Sequence, residues 1–272
     1  MLGRAFATLT VIAVVALSGV SGAAPAPAQP APTVLTLAPA FFPMPADLLR
    51  GEVFAGPTVV AVPYVNIPAA PNVDKGADIL DDMLHNTGGQ VLVVGYSEGS
   101  EVADAWLRRY GSTSDVDPAR VSFLLVADPE AAINGCDSVG LCRAGYDGKG
   151  FPPDTRYSGT VFARQYDFYA DAPNDPGNDA ARNNRTAAKS HGGLFQGRIV
   201  GVHNDYTAVG LHDPNNRSMQ VGNWTYMTAW TYPVPAAAAT GDLAQRQADD
   251  ATLRQQIESG YQRGYAMPRQ TS

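Results

Sequence analysis

The sequence is poor in charge. Asp, Glu, Lys and Arg make up only 17% of its 272 residues, against about a quarter in an ordinary globular chain. Positive charge is the scarcer sign: 19 Lys and Arg face 26 Asp and Glu, for a formal net charge of -7 and a pI near 5.0. No basic stripe with interleaved aromatics is present, which excludes the usual footprint of a nucleic-acid binder. The acidic balance also argues against simple electrostatic docking on anionic lipid. Peripheral apolar contact with cell-envelope lipid stays open. Cysteine is nearly absent, with Cys136 and Cys142 as its two examples. Their spacing does not match a zinc site and no nearby His completes one, so no metal is expected, and no cofactor either. In an exported chain an even count favours a disulfide. So small a loop would contribute roughly 2 kcal/mol and pin a local turn rather than the fold.

What is present fits one α/β domain with a single core, since 45% of residues are apolar. The first residues, 1–23, have the layout of an export signal: Arg4, an apolar run from Phe6 to Leu17, then Ser21-Gly22-Ala23. The run is short and rich in small residues for a membrane span, so a secreted or envelope location is expected, with an uncleaved anchor as the alternative. No Cys follows it, which disfavours lipoprotein attachment. Residues 24–38 read as an Ala/Pro-rich linker and first strand, 39–235 as the main α/β domain, and 236–272 as a polar helical tail.

Within the domain, apolar runs and helical periods alternate. Strands are expected at Thr33–Leu37, Thr58–Pro63, Gln90–Val94, Val121–Ala127, Thr160–Gln165 and Arg198–Val202. Helices are expected at Val73–His85 and Ser97–Tyr110. Gly135 to Gly159 reads as a long loop or cap, Asn174 to Gly193 as irregular, and Gly241 to Arg263 as a peripheral helix or loose tail. Strand–helix alternation predicts a mostly parallel sheet with helices on both faces, and ligands at the carboxyl ends of its strands.

The strongest local signal is Gly95-Tyr96-Ser97-Glu98-Gly99, between a strand and a helix. A sharp turn there leaves little room beside the serine, and glycine at both flanks relieves the clash. This is the nucleophile elbow of the α/β-hydrolase class, with Ser97 as nucleophile. The bland reading is a Gly-rich turn with an N-cap serine. The backbone N–H of Glu98, at the helix N-terminus, can face a developing oxyanion. A second donor is expected from the loop near Ala40 to Phe42, with Phe41 named for it. A base and an orienting acid must follow in the chain order Ser, acid, His. His203 directly follows the strand expected at Arg198–Val202 and is preferred over His191 and His212. For the acid, Asp171, deeper in the loop before Pro173, is preferred, and Asp167 is the second choice.

Four segments carry a family resemblance: Val-Val-Gly-Tyr-Ser-Glu-Gly-Ser, Leu-Leu-Val-Ala-Asp-Pro, Tyr-Asp-Phe-Tyr-Ala-Asp-Ala-Pro and Val-His-Asn-Asp-Tyr. Together they resemble the PE-PPE domain, a cutinase-like serine hydrolase domain of mycobacteria and relatives, from about Pro39 to Pro235. The resemblance implies an α/β-hydrolase fold and a triad on Ser97, an aspartate of the Tyr166–Pro173 motif, and His203. It also implies ester hydrolysis, or acyl transfer in building envelope glycolipids. The chain departs from the family pattern at Glu98, commonly Gln, and at Phe168, where the motif has Gly. A signal-like segment stands in place of the long N-terminal PE or PPE region. The expected substrate is an acyl ester or glycolipid. A rival of another class is a non-catalytic envelope-binding module on a hydrolase scaffold.

Overall fold

A computed structural model describes residues 32–142, 150–195, 198–265 and 267. The expected signal at 1–23, and the linker as far as residue 31, lie outside the described residues. Nine strands and five helices follow in the order β1 (Thr33–Leu37), β2 (Thr58–Ala61), α1 (Ala70–Asn86), β3 (Val91–Tyr96), α2 (Glu98–Arg109), β4 (Val121–Val126), β5 (Ser158–Arg164), α3 (Asp179–Ala187), β6 (Gly192–Phe195), β7 (Arg198–Gly201), β8 (Arg217–Val221), β9 (Trp224–Ala229), α4 (Pro235–Ala238) and α5 (Leu243–Glu258), counting only the described residues.

Seven strands form one sheet in the order β2-β1-β3-β4-β5-β9-β8, parallel except for β8. One face buries Leu35, Leu37, Val93, Phe123, Leu125 and Val161 under α1 and α2, around Trp106 and Tyr157. The other buries Val34, Val94, Leu124, Val126 and Phe162 against Leu48, Leu49 and Tyr206. Apolar residues at nearly every strand position are what burial on both faces requires. From β1 the chain steps outward to β2, then returns past β1 to lay β3 on its other side. The strand order therefore reverses between β1 and β3, and the carboxyl ends of the strands at such a switch point are where sheets of this kind take a ligand.

Four sequence readings are corrected. Arg198–Gly201 is not a strand of the main sheet: it pairs antiparallel with β6 in a separate hairpin, where Leu194 and Ile199 face each other and stay exposed. The last parallel strand is β9, paired with β8, and neither is among the strands expected from sequence. Their polar Ser, Gln and Thr residues masked the alternation, and Gly222-Asn223 between the two runs is a hairpin signal. Asn174–Gly193 contains α3, capped by the Asn178 side chain on the Ala181 N–H. Gly241–Arg263 holds the expected helix, α5, and is not a loose tail. Ile257 and Tyr261 are buried with Tyr166, Ala181 and Val234, and Arg263 is buried with them. Its charges are paired internally, Asp250 with Arg254 and Arg263 with Glu258, so polarity there does not mean exposure. No helix among the described residues is long and apolar enough to cross a membrane.

Candidate active site

Ser97 stands where β3 turns into α2, with φ 54° and ψ -117°. A non-glycine residue seldom adopts such a conformation, and it persists only where its surroundings hold it. The surroundings are close. A Cβ on Gly95 would lie 2.6 Å from the Gly99 carbonyl oxygen, and one on Gly99 would collide with the Leu37 carbonyl. The two glycines thus let α2 pack onto the end of β1, which sets Ser97 at the switch point.

His203 arrives from the far side of the sheet, in a short 3-10 turn (Val202–Asn204) after β7. Its Nε2 lies 2.8 Å from Ser97 Oγ. Its Nδ1 lies 2.9 Å from both carboxylate oxygens of Asp167. A carboxylate there selects the tautomer with the proton on Nδ1, leaving the Nε2 lone pair toward the serine. Tyr96 donates to the His203 carbonyl at 2.6 Å, and the Tyr169 ring meets the imidazole edge-on at 4.7 Å. Asp205, two residues on, binds Arg164 at 2.6 Å and accepts the Leu194 N–H at 2.9 Å. The turn bearing His203 is thereby tied to the end of β5 and to the β6–β7 hairpin.

Asp167 is fully buried. Burial alone would push its carboxyl up, but the adjacent His203, the Tyr206 hydroxyl at 2.7 Å and the Tyr169 N–H at 2.8 Å hold it below the usual range. The group remains a carboxylate. Asp171, the first choice from sequence, does not reach His203. Its backbone N–H bonds back to the Asp167 carbonyl at 3.0 Å, and its side chain turns the other way. There it accepts the Tyr166 N–H at 2.7 Å and the Asn134 amide at 3.0 Å, and pairs with buried Arg263. The two aspartates of one motif thus have separate surroundings. Sequence gave no view of Arg263, the residue that occupies Asp171.

The Glu98 backbone N–H lies in the first turn of α2, where helix N–H groups have no intrahelical partner. Phe41 is corrected as an oxyanion donor, because its N–H is engaged by the Asn66 carbonyl at 2.8 Å. The N–H of Ala40, one residue earlier, has no partner among the described residues. The Glu98 side chain is buried without a hydrogen bond, and burial pushes its carboxyl up to about 7. The Phe168 ring lies beneath Arg185 and Lys189, at 3.8 and 4.1 Å. Cys136 and Cys142 are joined, with Cα atoms 5.2 Å apart. Through the Cys136 N–H this loop bonds to the Tyr169 carbonyl at 2.7 Å, bracing the segment that carries Asp167.

Exposed apolar side chains stand on the loops after β1 and around His203. Phe41 and Phe42, 66% and 65% exposed, are stitched to the Val65–Ile67 loop by the Asn66 amide. Tyr169, Leu194 and Ile199 lie on the His203 side. A cavity of about 400 Å³, lined by Leu92, Ser122, Leu124 and Thr160, opens at the opposite end of these strands.

A mostly parallel sheet with a strained serine at the strand–helix turn defines the α/β-hydrolase class. The particular family follows from sequence comparison. The PE-PPE domain model matches residues 55–262, and the chain belongs to that family. The SL1278 acyltransferase Chp1 of Mycobacterium tuberculosis is 27% identical over 212 residues, covering 72% of this chain and 49% of that protein. Esterase PE16 of the same organism is 30% identical over 127 residues, covering 42% of this chain and 24% of that one. The chain therefore spans at most about half the length of these curated relatives. A cutinase-like protein from Cryptococcus sp. aligns in structure with 12% identity and a TM-score of 0.34, covering 85% of this chain and 91% of the other.

Proposed function

We propose that the chain is a serine hydrolase of lipid-type carboxylic esters, working through an acyl-enzyme on Ser97, and that it acts outside the cytoplasm. The observation that carries this reading is the unbroken hydrogen-bonded line from Ser97 Oγ through His203 to Asp167. Ser97 Oγ bonds to the ester carbonyl carbon while its proton passes to His203 Nε2. Asp167 stabilises the imidazolium that forms. The tetrahedral oxyanion is held by the Glu98 N–H, with the Ala40 N–H as second donor. The alkoxide leaves with the proton from Nε2, and the acyl group stays on Ser97. Water, deprotonated by the same His203, then releases the acid. A sugar hydroxyl in place of water would give acyl transfer, a second reading favoured by the acyltransferase among the relatives. Export is supported by the signal-like N-terminus and by a disulfide that suits an oxidising compartment.

A fluorophosphonate should form one adduct per chain, and peptide mass mapping should place it on Ser97. A protein that takes no adduct would return the chain to the binding-module reading, and an adduct elsewhere would remove Ser97 as the nucleophile. The apolar flank predicts a long acyl chain. Burying an exposed side chain of this size contributes about 1–2 kcal/mol, or roughly tenfold in affinity. The Phe42→Ser/Ile67→Ser variant should therefore lose at least about tenfold in kcat/KM on a p-nitrophenyl palmitate. Its turnover of the butyrate should stay within about twofold. Equal losses on both esters would place the acyl chain elsewhere.

A further inference from the structure

Beyond the triad, the first turns of α2 face a second group of acids. Glu101 stands one helical turn after Ser97, Glu130 follows β4, and Asp137 follows Cys136 in the disulfide loop. One carboxylate oxygen from each lies within 4.8 Å of the other two. Glu130 is wholly buried and Glu101 only 7% exposed. Glu130 uses one oxygen for Arg108 and for the Gly150 N–H at 3.0 Å, while its other oxygen is buried with no partner. Asp137 likewise has a buried oxygen with no partner. The Glu101 carboxylate makes no hydrogen bond or ion pair among the described residues. Around the three lie Glu98, whose two carboxylate oxygens are buried without a partner, and the buried pair Asp104 and Asp128, whose carboxyls are close enough to share a proton. Arg108 is the one cation paired with any of these acids among the described residues. Like charges so close in a poorly hydrated site repel strongly unless something positive sits between them.

We propose that Glu101, Glu130 and Asp137 bind a hard divalent cation, Ca²⁺ by preference, as a structural clamp. The donors are all carboxylate oxygens, since both cysteines are in the disulfide and no His is present in the group, which disfavours zinc. Carboxylates drawn from a helix, a strand end and a loop suit the irregular, flexible shell of Ca²⁺ better than the strict octahedron of Mg²⁺. The ion would join the helix that begins at Ser97 to the loop that supports Asp167. That loop already meets the acid segment through the Cys136 N–H on Tyr169 and the Ala172 N–H on Asn134, both at 2.7 Å. It touches none of the reacting atoms, so the clamp stands independently of the hydrolase reading.

The test uses the full chain, stripped with EDTA, at pH 8. Titration calorimetry with CaCl₂ should give one saturable site per chain, with MgCl₂ binding at least about tenfold more weakly. Saturating Ca²⁺ should raise Tm by at least about 5 °C. Asp137→Asn and Glu101→Gln should each weaken Ca²⁺ binding at least about tenfold. In EDTA both should melt no lower than wild type, because each removes a repelling charge. Fluorophosphonate labelling, or an unchanged circular dichroism spectrum if labelling fails altogether, shows that the variants are folded. No saturable Ca²⁺ binding by wild type would overturn the clamp, and so would variants that bind Ca²⁺ like wild type. Variants that are stabilised in EDTA while Ca²⁺ leaves wild type unchanged would show that protons alone hold these acids together, which also overturns it.

Discussion

Ser97→Ala should lower ester turnover by roughly 10⁶-fold, His203→Ala should come close to that, and the double variant should be no worse than either. The reason is that the two side chains act as one unit. An unassisted serine hydroxyl is a weak nucleophile, and an imidazole without the serine has no acyl acceptor to activate. The 2.8 Å separation of Oγ and Nε2 is what joins them. What survives is oxyanion binding and substrate positioning, which still contribute roughly 10³–10⁴-fold over water. Stability should hardly change. The strained φ of 54° at residue 97 is imposed by the close passage of Gly99 over Leu37, not by the hydroxyl. Alanine inherits the same backbone, so Tm should stay within a few degrees. The measurement is kcat on a p-nitrophenyl ester beside a melting curve. A Ser97→Ala protein that is folded and keeps more than about a hundredth of the activity would remove Ser97 from the chemistry.

The parts legible in the sequence were those fixed by local chemistry. Gly95 and Gly99 are needed because backbone passes backbone there, and a spacing of two around Ser97 shows this without coordinates. The buried parallel strands β1, β3 and β4 announce themselves by unbroken Val and Leu. For His203 the structure replaces the reason that the sequence offers. The segment before it, Arg198–Gly201, is a short exposed hairpin arm rather than a core strand. What positions the imidazole is Asp205 holding Arg164 at the end of β5. Arg164 and Asp205 are 41 residues apart, and no local pattern links them. The same limit hid β9, whose partner β5 lies some sixty residues earlier. It also hid the true place of the C-terminal segment. Polarity was read as exposure, whereas Asp250, Arg254, Glu258 and Arg263 neutralise one another inside. The carboxylates of the proposed clamp likewise come from three segments, and Glu101 and Asp137 lie 36 positions apart in the chain.

The choice between Asp167 and Asp171 shows that limit most sharply, and exchanging each for Asn should separate their roles. Both belong to one loop, both are buried, and both accept backbone N–H groups. Asp167→Asn should leave the fold nearly intact, since an amide oxygen in the Oδ1 position still accepts the Tyr169 and Ala170 N–H groups and the amide NH₂ can donate to the Tyr206 hydroxyl. It should nonetheless lower kcat by roughly 10⁴-fold, because the amide presents a donor to Nδ1 and selects the wrong tautomer. Asp171→Asn should do the reverse. It leaves the Arg263 guanidinium, 2% exposed, without its buried counter-charge. Breaking a buried pair from one side costs about 3–5 kcal/mol. Glu258, which still pairs with Arg263 at 2.8 Å, should keep the loss toward the lower end. The folded fraction of this variant should retain kcat within about tenfold, because His203 keeps Asp167. Replacing the pair together, as Asp171→Asn with Arg263→Met, should recover part of the stability, since the unpaired charge is then gone. If Asp171→Asn instead melts like wild type and loses turnover, Asp171 acts on the histidine and the arrangement around Asp167 does not describe the working enzyme.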